Sequence, residues 1–306
     1  MQTTKRKKGG LNRTRNQRIF FWCIIALPLA QFCIFYIGVN FNSFLLAFRN
    51  YSFTEGYSFA GIDNFARVWY DWFNAPRFKT MFLNSLLTYG VSLLVGSTLA
   101  LLFSYFIYKK MPMAGLFKVM LFLPHILSML VMVLLFKYFA ENAIPELWAR
   151  LFGKRLDGLL GSTDTAMPTL LFFLVWAGFG TQVLMYVGAM NNISESVVES
   201  ATLDGITPIK EFVYITLPLI WPTFVTFVVV GLAGLFTNQL NLYSFYGTSA
   251  PASVQTIGYY LYRGAQSGEL PEYPYLSAMG LMLTCIALPV TLGVRKLMER
   301  FGPRTV

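Results

Sequence analysis

The chain has 306 residues, of which 56% are hydrophobic and only 12% charged, against roughly 45–50% and about 25% in an ordinary soluble domain. That composition excludes a water-soluble globular fold, and the 29 Phe, 17 Tyr and 6 Trp exclude a disordered chain, which has too little apolar surface to bury. A formal charge of +10 fits either a nucleic-acid binder or a membrane protein that keeps its Lys and Arg on the cytoplasmic side. The placement of the charges along the chain separates the two.

A helix needs about 20 predominantly apolar residues to cross a hydrocarbon core, where no backbone polar group survives unpaired. After a basic segment, 1–18, uncharged stretches run 19–48, 80–108, 119–136, 165–194, 212–262 and 273–294. The third is short, but Lys118 and Lys137 at its ends can snorkel toward the headgroups. The fifth is long enough for two spans. Its second half, Asn238 to Tyr262, carries Asn238, Gln239, Asn241, Gly247 and Pro251 and reads as a polar loop or re-entrant segment. The sequence therefore predicts an all-α integral membrane protein with six spans, at about 19–42, 80–107, 117–139, 167–190, 213–237 and 275–296. They form one membrane-spanning domain, 19–300, between cytoplasmic tails at 1–18 and 301–306.

The charges support that count. With both termini inside, Lys5, Arg6, Lys7, Lys8, Arg13, Arg15 and Arg18, Lys109 and Lys110, and Arg295, Lys296 and Arg300 are all cytoplasmic, and the whole +10 falls on the inside pieces. This is the positive-inside pattern, and it accounts for the charge without nucleic acid. The first apolar run continues well past the 7 to 15 residues or so of a signal peptide, so it reads as a retained span with a kink at Pro28. The outside loops 49–79 and 137–164 carry Tyr51, Trp69, Tyr70, Trp72 and Trp148, suited to an interfacial aromatic belt.

Cys23, Cys33 and Cys285 lie in apolar runs and offer no disulfide or metal spacing. No GxxxxGK[ST], HExxH or GxSxG occurs, and the single histidine, His125, beside Pro124, reads as a packed, hydrogen-bonded side chain. The spans instead carry neutral groups: Asn84, Ser85 and Thr88, then Trp176, Thr181 and Gln182, then Asn238 and Gln239. Such groups bond neighbouring helices and also suit a hydroxyl-rich solute.

The inside segment 191–212 is too long for a simple turn. Ser194 is placed to cap a helix from Glu195, Val197, Val198, Ala201 and Leu203 supply apolar side chains, Gly205 permits the positive φ that ends a helix, and Thr207-Pro208 starts another. A short helix, a sharp turn and a second short helix at the membrane surface invite a docking partner.

These residues resemble the permease subunits of binding-protein-dependent ABC importers, in the carbohydrate branch typified by maltose and glycerol-3-phosphate systems. The family's E-A-A, D-G, aromatic and I-x-L-P positions are matched by Glu199-Ser200-Ala201, Asp204-Gly205, Phe212, Ile215, Leu217 and Pro218. Asn84-Ser85-Leu86 resembles the opening of the second span, Leu123-Pro124 that of the third, and Gly247 to Pro251 a degenerate turn after the fifth. Ser128 stands where the family carries a second proline, which leaves that helix's kink open.

The resemblance implies an importer core in the bacterial cytoplasmic membrane. This chain would pair with a second, homologous permease and two ATPase subunits, and a solute-binding protein would deliver a carbohydrate from outside. The chain would bind no cofactor, ATP and Mg being used by the ATPases. Glu199, Ser200, Ala201, Leu203, Asp204 and Gly205 would form the ATPase-coupling element, with the apolar side of the helix in an ATPase groove and Glu199 paired to a basic group there. By matching position, Gly178, Thr181, Phe236 and Gln239, with Asn238 and Tyr243 as neighbours, would line the solute path. An importer for another solute class, or a polytopic membrane enzyme or scaffold, stays open at this point.

Overall fold

The computed structural model describes residues 15–154 and 156–303; Lys5, Arg6, Lys7, Lys8 and Arg13 of the expected tail lie outside the described residues. The chain is built of helices with one small hairpin. In order these are α1 (Gln17–Leu46), β1 (Arg49–Ser52), β2 (Gly56–Phe59), α2 (Asp63–Asn74), α3 (Pro76–Tyr108), α4 (Ala114–Ile126), α5 (Met129–Phe152), α6 (Thr163–Asn191), α7 (Glu195–Leu203), α8 (Pro208–Leu219), α9 (Trp221–Ala233), α10 (Leu242–Tyr246), α11 (Ile257–Ser267) and α12 (Tyr273–Phe301).

Among the described residues, α1, α3, α6 and α12 are each long and apolar enough to cross a membrane unaided. Two further spans exist only if bent pairs are counted: α4 with α5, which meet at 101°, and α8 with α9, which meet at 69°. The third expected span, 117–139, is thus not one straight helix. It breaks at Leu127 and Ser128, both of which take extended ψ values. The kink that the missing proline left open is present without it. A serine tolerates the extended conformation and starts α5 with its carbonyl, to which Met132 N donates. The fifth expected span, 213–237, breaks at Ile220, ahead of Trp221-Pro222, where the proline cannot donate to the preceding turn.

Pro28 does not break α1. The helix runs on through a widened π-type stretch, Phe32–Gly38, which rearranges its hydrogen bonds without ending it. Almost all of α1 is exposed, and only its last turns meet α12. The loop 49–79, expected on the outside, holds more order than its sequence suggested. β1 and β2 pair antiparallel, with Ser52 opposite Gly56, and Asn64 Nδ2 donates to the carbonyls of Ala47 and Arg49 at 3.1 and 2.8 Å, pinning α2 beneath the hairpin.

Three packed clusters make up the interior. The first joins α5 and α6 to the 240–259 segment through Phe173, Leu240, Phe245 and Tyr259. A second joins α2, α3 and α12 to the end of α9 through Phe78, Met81, Phe236 and Met279. The third joins α3 to α6 through Ala100, Tyr105, Val183 and Tyr186. Small residues let α3 and α6 close: Ser104 Oγ donates to the carbonyl of Val183 at 3.1 Å across them.

The polar stretch after α9 is a tied-down loop carrying two short helices, α10 and α11. Its first turn places Leu240 and Asn241 at φ of 53° and 52°, an unfavourable region for residues with a Cβ. Asn238 Oδ1 accepts from Leu240 N at 2.8 Å and holds that turn. From α3, Asn84 Nδ2 donates to the carbonyls of Ser253 and Gln255, and Ser85 Oγ accepts from Ile257 N. These neutral span residues are therefore spent on holding the loop.

Candidate functional site

The segment between α6 and α9 forms a projecting knob. Ser194 is extended, as the residue before a helix should be, yet its hydroxyl pairs with Ser196 Oγ at 2.8 Å and caps no backbone amide. The expected side-chain cap is absent because the neighbouring serine is the nearer partner. Glu195, in the first turn of α7, is left to favour the positive end of the helix dipole.

The C-terminus of α7 closes with the two bonds that define a Schellman motif. Ile206 N donates to Ala201 O at 3.2 Å and Gly205 N to Thr202 O at 3.0 Å. Gly205 sits at φ +72°, where a side chain is strained although the space around it is empty. Thr207 then runs extended into Pro208, and the chain turns into α8.

The knob has two faces. Ala201 is buried and Val198 half-buried, so this side of α7 rests on the protein itself. Val197 is exposed, as are Glu199, Ser200, Asp204 and Gly205, and Leu203 and Ile209 stand 88% and 78% exposed. Only part of the expected apolar stripe therefore faces outward: Leu203 and Val197 do, Ala201 does not. Ser200 Oγ and Thr202 Oγ1 donate to the carbonyls of Ser196 and Val198, so their hydroxyls are satisfied within the helix.

The knob is anchored to the end of α3 through Tyr105, Lys109 and Glu211, which the sequence does not mark as partners, together with Pro208 and the motif residue Phe212. Lys109 Nζ lies 2.6 Å from Glu211 Oε1, Tyr105 Oη donates to the carbonyl of Pro208 at 2.9 Å, and the Tyr105 and Phe212 rings stand 5.0 Å apart. Glu211 was legible only as one more acid in the loop. Its burial depends on a contact over a hundred positions away in the chain.

The residues expected along a solute path fall into two groups. Gly178 and Thr181 lie one turn apart on an exposed side of α6, with nothing near enough to Gly178 to meet a Cβ. Thr181 Oγ1 is hydrogen-bonded to His125 Nε2 at the end of α4, so the lone histidine is hydrogen-bonded as expected but exposed rather than packed. Gln239 and Tyr243 lie in the tied loop, which packs on α6 through Phe173 and Phe245, 5.1 Å between rings. Gln239 Oε1 is buried without a hydrogen-bond partner, Tyr243 packs edge-on to Tyr262, and Asn238, itself exposed, spends its Oδ1 on the turn.

Phe236 belongs to the cluster that joins α2, α3 and α12 to the end of α9. It is buried, stacks on Phe82 at 5.8 Å, and lines an apolar cavity of about 640 Å³ with Trp72, Phe78, Leu283 and Ile286.

Residues 92–306 match the model of a family described as binding-protein-dependent transport system inner membrane component. The chain is 27% identical over 282 residues to the probable ABC transporter permease protein YurN of Bacillus subtilis, covering 89% of this chain and 94% of that protein. It is 24% identical over 283 residues to the multiple sugar-binding transport system permease protein MsmF of Streptococcus mutans, covering 92% and 95%. Its fold is similar to that of a chain in the crystal structure of a bacterial alginate ABC transporter in complex with an alginate pentasaccharide-bound periplasmic protein. There the TM-score is 0.78 at 21% identity, over 95% of this chain and 98% of that one. With more than two thirds of its length matched, this multi-pass membrane protein belongs to the family of binding-protein-dependent transport system inner membrane components, the permease subunits of ABC importers.

Proposed function

We propose that this chain is one of two homologous permeases of an ATP-driven carbohydrate importer in the bacterial cytoplasmic membrane, with six spans and both termini in the cytoplasm. A second permease forms the other half of the passage, and a pair of ATPase subunits binds and splits ATP with Mg. An extracytoplasmic binding protein hands over the solute. The sugar assignment is supported by the relative that serves multiple sugars.

The observation that carries the coupling role is the projecting α7, which is closed by Gly205 and exposes Leu203 while Ala201 holds its other face on the chain. ATPase closure has to reach the spans through a rigid part, because a soft loop would absorb the movement. Leu203 and Val197 seat in the ATPase, Glu199 and Asp204 meet basic groups at its rim, and Ala201 and Gly205 set the helix's depth and angle. The solute passes along the Gly178 and Thr181 face of α6 and the Gln239 and Tyr243 loop, where amide and aromatic groups suit sugar hydroxyls and ring faces.

Co-expression with a second permease, the ATPase and the binding protein, followed by reconstitution, tests this reading. The expected result is co-purified ATPase whose activity rises with carbohydrate-loaded binding protein. An isolated subunit that moves solute without nucleotide would overturn it.

A further inference from the structure

We propose that the pair Lys109 and Glu211 is a permanent joint fastening the α7–α8 knob to the end of α3. A push on α7 is then delivered to the membrane helices through α3 as well as along the chain into α9. This rests on the coupling role proposed above for α7.

Three contacts of different kinds converge on one turn of each element. They are the ion pair at 2.6 Å, the hydrogen bond from Tyr105 to the Pro208 carbonyl, and the Tyr105–Phe212 ring contact. The ammonium of Lys109 also lies 5.8 and 5.9 Å from the ring centroids of Tyr105 and Tyr108, a favourable place for a cation. Among the described residues, Glu211 is the one acidic or basic residue in the buried class. With the Lys109 ammonium 2.6 Å away, its carboxylate is held beside an opposite charge.

Burial is what makes the joint permanent. A carboxylate withdrawn from water is costly unless an opposite charge stays beside it. Opening the contact in every transport cycle would strand Glu211, whereas moving both partners together costs nothing of that kind. The end of α3 is in turn knit to α6 by Ser104 and Val183 and by the Phe103 and Phe179 rings. The ends of α3 and α6 with α8 therefore move as one body, and Gly205 is the turn between that body and the exposed helix.

The test uses the assembled transporter in proteoliposomes, with Cys23, Cys33 and Cys285 replaced by serine as background. Lys109→Cys together with Glu211→Cys, kept reduced, is expected to lower solute uptake about tenfold while the ATPase subunits stay bound and hydrolyse ATP. Bridging the two thiols with a short bifunctional reagent is expected to restore uptake. Glu211→Gln, which keeps the shape and removes the charge, should show the same loss with the ATPase retained. Normal uptake by Glu211→Gln, or a bridge that abolishes uptake, would overturn the joint. Leu203→Asp separates this outcome from the docking role. It should release the ATPase, and if the ATPase stays bound with uptake normal, α7 is not the docking helix, whatever happens at 109 and 211.

Discussion

The side chain of Asn84 in α3 donates to the backbone carbonyl of Gln255 at 2.9 Å, across 171 positions of sequence. Its second amide hydrogen goes to Ser253 at 2.8 Å, so one side chain satisfies two carbonyls of a loop packed among apolar helices. Asn84→Ala is expected to lower stability by about 1 kcal/mol, since it strands the half-buried Gln255 carbonyl, the Ser253 carbonyl being exposed. Asn84→Asp should be worse, because a carboxylate would face the carbonyl oxygens with no donor. Thermal unfolding of the detergent-solubilised complex checks both, and an equal midpoint for the two variants would count against this account.

Gly205 lies at φ +72° with open space around it, so backbone strain alone decides which residue is accepted there. Gly205→Val should cost about 1–2 kcal/mol locally, reorient α7 and abolish uptake while the chain still inserts. Gly205→Asn, which visits this region more readily, should keep most of the uptake. Transport by the two variants, measured beside ATPase co-purification, distinguishes a conformational turn from a contact residue.

Gly180 and Gly178 offer a contrast on one helix. A Cβ at Gly180 would come within 2.5 Å of the Leu121 carbonyl oxygen, whereas one at Gly178 meets nothing within 4 Å. Gly180→Ala is expected to push α4 from α6 and destabilise the protein by roughly 1–3 kcal/mol. Gly178→Ala should leave stability unchanged. The same melting experiment reads both.

Gln239 and Phe236 should part in function. Gln239→Ala removes an amide whose oxygen has no partner in the protein, so the expected effect is an altered pattern of competition among sugars with little change in stability. Phe236→Ala empties a buried stack and should cost about 3–5 kcal/mol, leaving the competition pattern intact in whatever protein survives. An unaltered sugar profile for Gln239→Ala would assign it to packing.

Much of this protein is written locally. The apolar runs, the turn at Gly205 and the start at Pro208 all follow from properties of a few adjacent residues, and so does the motif from Glu199 to Pro218. Periodicity and backbone preference act over a turn or two, which is why helix existence and the α7–α8 knob were readable before any coordinates.

Tertiary structure alone decided where the long segments break and what their polar groups touch. Serine at 128 does not by itself announce a 101° bend, since the extended conformation there is held by the packing of α4 and α5 on α6. Asn84, Ser85 and Thr181 have side chains that suit a sugar as well as a helix, and only the approach of distant segments committed the first two to a loop and the third to His125. The burial of Glu211 against Lys109, of Ala201 against the body of the chain, and of Phe236 against Phe82 is likewise a matter of pairing. A partner is chosen by proximity in space, and the sequence around each residue holds no record of it.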